Sequence, residues 1–106
     1  MIKTKSQYEA RAQIAKALAH PTRLLLLDAL QEKALCVCEM TELVGADQST
    51  VSKHLAVLKE AGFVEIEKQG SMSFYSIRCQ CLDQFFGCIE SVLLQKVRTQ
   101  QELVRI

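Results

Sequence analysis

Five cysteines carry most of the reactive chemistry in this chain: Cys36 and Cys38, Cys79 and Cys81, and Cys88. An odd number in tight clusters points to metal or redox chemistry rather than a disulfide framework. Thiolate is a soft ligand and selects copper(I), zinc and similar ions over magnesium or calcium. Cys36 and Cys38 stand at the expected start of a helix, where the partial positive charge of the helix end stabilises thiolate. On a regular helix two residues apart means about 200° of rotation. Both sulfurs therefore face one ion only if the helix start is irregular or distorts on binding, and such a distortion would move the segment that follows. The same spacing makes them poor direct disulfide partners, so a bridge would need Cys79, Cys81 or Cys88 close by. For every cysteine the competing reading is packing, since a free thiol behaves as a small hydrophobe.

A second cluster is polar. The run Ala46-Asp47-Gln48-Ser49-Thr50-Val51-Ser52-Lys53-His54-Leu55 places short hydrogen-bonding side chains opposite Val51 and Leu55 at a helix start. A helix that reads the DNA major groove needs this arrangement, with its first residues at base edges and its apolar side on the preceding helix. Gln48 suits a bidentate bond to adenine, and Ser49 and Thr50 suit bases or phosphates. Ser52, Lys53 and His54 are better placed for phosphates, which position a protein without reading sequence. Lys68, Gln69, Gly70 and Ser71, at the tip of a hairpin, can lie along a neighbouring backbone or minor groove. A merely solvated helix start remains the plainer reading, and for His54 the two are evenly balanced. His20, ahead of Pro21, suits capping better than ligation, and Tyr75 suits the core better than a contact. Enzyme chemistry is disfavoured. A catalytic cysteine needs a base, only His20 and His54 are present, and no glycine-rich phosphate loop exists.

The elements that must position these residues follow from periodicity. A first amphipathic helix runs from Tyr8 to Ala19 on Ile14, Ala15 and Leu18. Pro21 suits the first position of a second helix, whose Leu24–Leu30 segment is apolar nearly all round and should be buried. Residues 38–61 form two short helices broken at Gly45-Ala46-Asp47, with Met40, Leu43 and Val44 inward in one and Val51, Leu55 and Leu58 in the other. Ser49 or Asp47 can cap the second, and Gly62 can end it. Two alternating runs, Phe63–Lys68 and Met72–Ile77, flank Gln69-Gly70-Ser71 as a hairpin. A long last helix, about 82–102, carries the stripe Leu82, Phe85, Phe86, Ile89, Val92, Leu93 and Val97. The expected fold is mainly α with a small β-hairpin wing at about 63–78, a winged helix-turn-helix with additional N- and C-terminal dimerisation helices.

Composition sets the bounds. At 106 residues, 49% of them hydrophobic, the chain is expected to form one domain over 1–106, with a core kept marginal by its small size. An exposed apolar stripe would then be an oligomer interface. The net charge is +1, but residues 1–30 carry +3 and residues 31–50 carry −3, a pattern that fits one face turned to phosphates among other uses. No apolar run is long enough to span a membrane, and Met1–Tyr8 lacks the apolar centre of a secretory signal. A cytoplasmic location, where thiols stay reduced, is the expectation.

Several of these motifs in one order resemble the ArsR/SmtB family of metal-responsive repressors: His20-Pro21-Thr22-Arg23-Leu24, Leu35-Cys36-Val37-Cys38-Glu39, Gln48-Ser49-Thr50-Val51-Ser52-Lys53-His54-Leu55 and Leu58-Lys59-Glu60-Ala61-Gly62. The resemblance covers roughly residues 10–78. It implies a homodimer joined through the first and last helices, bound to double-stranded operator DNA, that represses its own resistance operon until a metal binds. The cysteine box is most similar to that of the arsenic-sensing members, where arsenic(III) or antimony(III) takes three thiolates and the third often follows three residues after the second. That position is Thr41 here. Cys88, Cys79 or Cys81 are the candidate third ligands, with cadmium or lead as alternative ions. Zinc-sensing relatives use carboxylates and histidines on the last helix. Here that helix offers Asp83 and Glu90 but no histidine, so this site looks absent, and no organic cofactor is implied. A redox- or persulfide-responsive repressor of the same fold is the alternative.

Overall fold

The computed structural model describes residues 1–105; Ile106, the end of the expected domain, lies outside the described residues. The elements run α1 (Lys5–Leu18), α2 (Pro21–Glu32), β1 (Leu35–Cys36), α3 (Val37–Val44), α4 (Gln48–Ala61), β2 (Val64–Gln69), β3 (Met72–Ile77) and α5 (Leu82–Val104). This is a winged helix-turn-helix with a further helix at each end.

Helix α1 starts at Lys5 rather than Tyr8 because Thr4 and Gln7 close a capping box. Thr4 Oγ1 accepts the Gln7 amide at 3.3 Å, and Gln7 Oε1 accepts the Thr4 amide at 2.8 Å. Helix α2 opens on Pro21, with His20 Nδ1 accepting the Thr22 amide at 3.0 Å, so His20 caps as expected. Leu26, Leu27 and Leu30 of α2 are buried. Leu25 is not, contrary to the expectation of burial all round, because nothing covers its side of the helix.

In α3 the inward face is Val37, Met40 and Val44, all packed in the core. Leu43, expected inside, is 54% exposed. It lies about 100° around the helix from Val44, outside that face. Helix α4 follows its pattern, with Val51, Leu55 and Leu58 at zero exposure. Gly45 ends α3 and Gly62 ends α4 in left-handed conformations, at φ 75° and 93°, where glycine carries no Cβ penalty.

Strands β2 and β3 pair antiparallel from Val64↔Ile77 to Gln69↔Met72, leaving Gly70-Ser71 as a two-residue turn with Gly70 at φ 64°. A third strand completes the sheet in the order β1-β3-β2, pairing Leu35 with Tyr75 and Cys36 with Phe74. Two residues are too few for alternation to show, so the sequence gives no sign of β1.

Helix α5 buries only Leu82. The stripe through Phe85, Ile89, Val92, Leu93 and Val97 is open, as is Ile14 of α1. The radius of gyration is 17.0 Å, against about 13 Å for a compact chain of this size. Helix α5 therefore projects, with its apolar side uncovered. No helix among the described residues is long and apolar enough to cross a membrane.

Candidate nucleic-acid interface and thiol sites

The buried row Val51, Leu55 and Leu58 fixes α4 on the core, which leaves its first turn outward. Gln48, Ser49, Thr50 and Lys53 are exposed and Ser52 is half-buried. Asp47 precedes the helix, and Ser49 Oγ donates to its Oδ2 at 2.7 Å. The hydroxyls of Thr50 and Ser49 hold the Asp47 carboxyl below its ordinary range. While the Ser49 hydroxyl proton is turned to Asp47, its oxygen lone pairs still face outward as acceptors. At the other end of the same surface, Lys68, Gln69, Gly70 and Ser71 crown the wing and are exposed.

His54 differs from its neighbours. It is half-buried, and its Nδ1 accepts from Arg23 Nε at 3.1 Å. Its ring lies 4.3 Å from that of His20 between centroids. Burial, then His20 and Arg23, lower its pKa. Of the residues expected at DNA, this one is turned toward the protein. Arg23 also reaches the carbonyls of Lys16 and Ala17 at 3.4 and 3.5 Å, tying the end of α1 and the start of α2 to α4. Residue types alone gave Arg23 no role; its only signal is its place in the His20-Pro21-Thr22-Arg23 motif.

The first thiol pair straddles the β1–α3 junction. Cys36 is 6% exposed and caps α3, while Cys38 is exposed inside the first turn. Glu39 Oε1 accepts the Cys36 amide at 3.1 Å. That backbone N–H, and next the Cys36 thiol, hold the Glu39 carboxyl below its ordinary range. A cleft of about 310 Å³ opens beside the pair, lined by Cys36, Val37, Cys38, Gln48, Ser71, Met72 and Ser73. The cysteine box thus adjoins the first residue of α4 and the tip of the wing.

Cys36 is buried and Cys38 exposed, though both line the cleft, so the box itself offers an ion two thiols. Thr41, in the place of a third cysteine, has a buried hydroxyl with no partner among the described residues, and a hard oxygen is a poor match for a soft ion. No group of three His, Cys, Asp or Glu side chains able to hold a metal forms among the described residues. Cys88, Cys79 and Cys81 therefore do not join Cys36 and Cys38 within one chain. Cys88 is exposed on α5.

The second pair lies where the sheet feeds α5. Cys79 is half-buried against the core and Cys81 caps α5. Their sulfurs are 3.3 Å apart, and the hydrogen bond and charge of Cys79 push the Cys81 thiol up.

Comparison with known proteins agrees with this geometry. The family described as "Bacterial regulatory protein, arsR family" matches residues 20–65, which span the end of the α1–α2 link through the start of the wing. The HTH-type transcriptional regulator MJ1325 of Methanocaldococcus jannaschii is 43% identical over 72 residues, 67% of this chain and 81% of that protein. The chain belongs to the arsR family. The crystal structure of Rv0081 from Mycobacterium tuberculosis superposes with a TM-score of 0.82 at 30% identity, covering 92% of this chain and 98% of that one. The homodimeric winged helix-turn-helix DNA-binding domain of Mb0332 from Mycobacterium bovis gives 0.77 at 25% identity, covering 92% and 93%. This arsR-family chain is a DNA-binding transcriptional regulator and not an enzyme.

Proposed function

We propose that this regulator is a homodimeric repressor that holds operator DNA through α4 and the wing and releases it when Cys36 and Cys38 capture a soft ion. Arsenic(III) or antimony(III) is the favoured inducer, with cadmium or lead as alternatives. The observation that carries the reading is the double attachment of Cys36. It caps α3, which packs on α4, and pairs with Phe74 of β3 in the wing, so its displacement reaches α4 through α3 and the wing directly.

Bringing the buried and the exposed thiol to one ion requires the first turn of α3 to open, because Cys36 stands extended ahead of the helix and Cys38 sits inside its first turn. Opening it removes the Glu39 capping bond and shifts the wall shared with Gln48 and Ser71. Gln48, Ser49 and Thr50 read bases, Ser52 and Lys53 meet phosphates, and Lys68, Gln69 and Ser71 meet the flanking backbone. His54 braces α4 from behind. Dimerisation follows from the open apolar sides of α1 and α5, which bury each other in a second copy, as the homodimer of Mb0332 supports. A third thiolate then comes from the partner subunit or from a bound small thiol.

The test is an operator-fragment titration under reducing conditions with arsenite as the releasing agent. The Cys36→Ser, Cys38→Ser variant should keep DNA affinity and lose release. Continued release by arsenite would overturn the reading. A redox- or polysulfide-responsive switch is the second reading, favoured by the contact between Cys79 and Cys81. Mass spectrometry after arsenite or polysulfide treatment separates the two by the adduct formed.

A further inference from the structure

Cys79 and Cys81 take no part in the proposed release mechanism, yet they are the only two sulfurs in contact among the described residues. The chain around them is anchored on both sides. The Arg78 and Cys79 amides donate to the Phe63 carbonyl at 2.8 and 3.4 Å, and the Cys81 carbonyl accepts the Phe85 amide at 3.3 Å in the first turn of α5. Gln80 forms the bend between them. Cys79 rests on the core and Cys81 is exposed, so the pair is accessible from one side. No third ligand side chain joins it among the described residues, which makes it a clamp with two donors.

The separation of the sulfurs selects what two donors can hold. Taking about 2.3 Å as the length of a bond to sulfur, a tetrahedral ion sets two sulfurs ~3.8 Å apart and asks for further ligands. A linear ion on the same scale sets them ~4.6 Å apart. Sulfurs 3.3 Å apart subtend roughly 90° at an atom ~2.3 Å from each. That is the angle of a pyramidal centre with a lone pair, such as trivalent arsenic. Three valences are available on such a centre, and two sulfurs fill two of them.

We propose that Cys79 and Cys81 form a second, separate site, a dithiol clamp for a monosubstituted trivalent arsenical, in which a carbon substituent holds the third valence. The exchange is R–As(OH)2 with two thiols. Two As–S bonds form, two As–O bonds break, and two waters leave carrying the thiol protons. Arsenic stays trivalent and no electrons move. The ring so closed spans Cys79-Gln80-Cys81, locking the bend between the wing and α5.

Phenylarsine oxide is the probe, added to the full chain kept reduced with a phosphine and followed by native mass spectrometry and peptide mapping. The wild-type chain and the Cys36→Ser, Cys38→Ser variant should each hold one phenylarsine on Cys79 and Cys81 that survives excess glutathione and leaves with a dithiol. Cys81→Ser, a change at an exposed position that keeps the packed Cys79, should weaken retention by roughly a hundredfold or more, because the second bond is no longer intramolecular. Circular dichroism checks that this variant is folded. Undiminished retention by Cys81→Ser, or no adduct on Cys79 and Cys81 in the Cys36→Ser, Cys38→Ser variant, would sink the proposal. Binding is read without DNA, so its failure leaves the account of operator release standing, and the converse also holds.

Discussion

The two Cys-x-Cys pairs share a spacing and differ in everything that matters to their chemistry. In each, one cysteine caps a helix, Cys36 for α3 and Cys81 for α5. The other lies on opposite sides of the cap. Cys38 is inside its helix and exposed, while Cys36 ahead of it is extended and buried. Cys79 is ahead of its helix, where the bend at Gln80 folds the chain back until the sulfurs are 3.3 Å apart. A motif written as two residues and a gap is thus a ready pair of donors only when the backbone turns both side chains to one side. The first pair must do work on the fold to bind one ion; the second is already assembled. That difference suits the first to switching and the second to capture.

The largest break in the comparison comes from removing what holds α3 in place. Met40 has zero exposure beneath α3, and Met40→Ala should cost about 2–5 kcal/mol of stability through lost burial and the cavity left behind. Urea unfolding measures it. Provided the variant is studied well below its midpoint, phenylarsine retention by Cys79 and Cys81 should be unchanged, since neither belongs to α3. A variant with unchanged stability would mean that α3 is not anchored by its inward face.

A sharper test uses reaction rates. Exposed Cys38 should be alkylated by iodoacetamide fast, and Cys36 at least about tenfold slower, because it reacts only when the start of α3 opens. Peptide mapping along a time course gives each rate. Equal rates for Cys36 and Cys38 would show that the first turn of α3 is already open, and the contrast with the second pair would vanish.

How much of this was legible in the sequence depends on the range of the interactions. Val51, Leu55 and Leu58 fell inside as periodicity demanded, and the hairpin and its glycine turn were readable because turn chemistry is local. Proline and histidine before α2 announced its cap. Strand β1 was not readable, since its two residues acquire meaning only against Tyr75 and Phe74, some forty residues on. Leu43 was misplaced because an eight-residue helix gives too few turns to fix its inward face. The bond from Arg23 to His54 crosses thirty-one positions, and no local pattern reports it. The meeting of Cys79 with Cys81 turned on the conformation of one residue between them, and spacing alone left it open.

The smallest effect should come from the cap that distinguishes the first pair. Glu39 accepts the Cys36 amide, whereas Cys81 begins α5 with no side-chain cap hydrogen bond. The Cys36 backbone N–H and thiol lower the Glu39 pKa in the folded chain. The unfolded chain, with its ordinary carboxyl, binds the proton more readily. Stability from this contact is therefore fully present above the ordinary glutamate range and is lost as pH falls through the folded value. Glu39→Gln keeps an acceptor of the capping-box type but has no charge to lose. It should be somewhat less stable than the parent at neutral pH and converge on it in acid, flattening that part of the profile. Urea midpoints measured from neutral pH into the acid range read the difference directly. Parallel profiles for parent and variant would mean that the carboxylate does not hold the first turn of α3, and that its opening meets no resistance from Glu39.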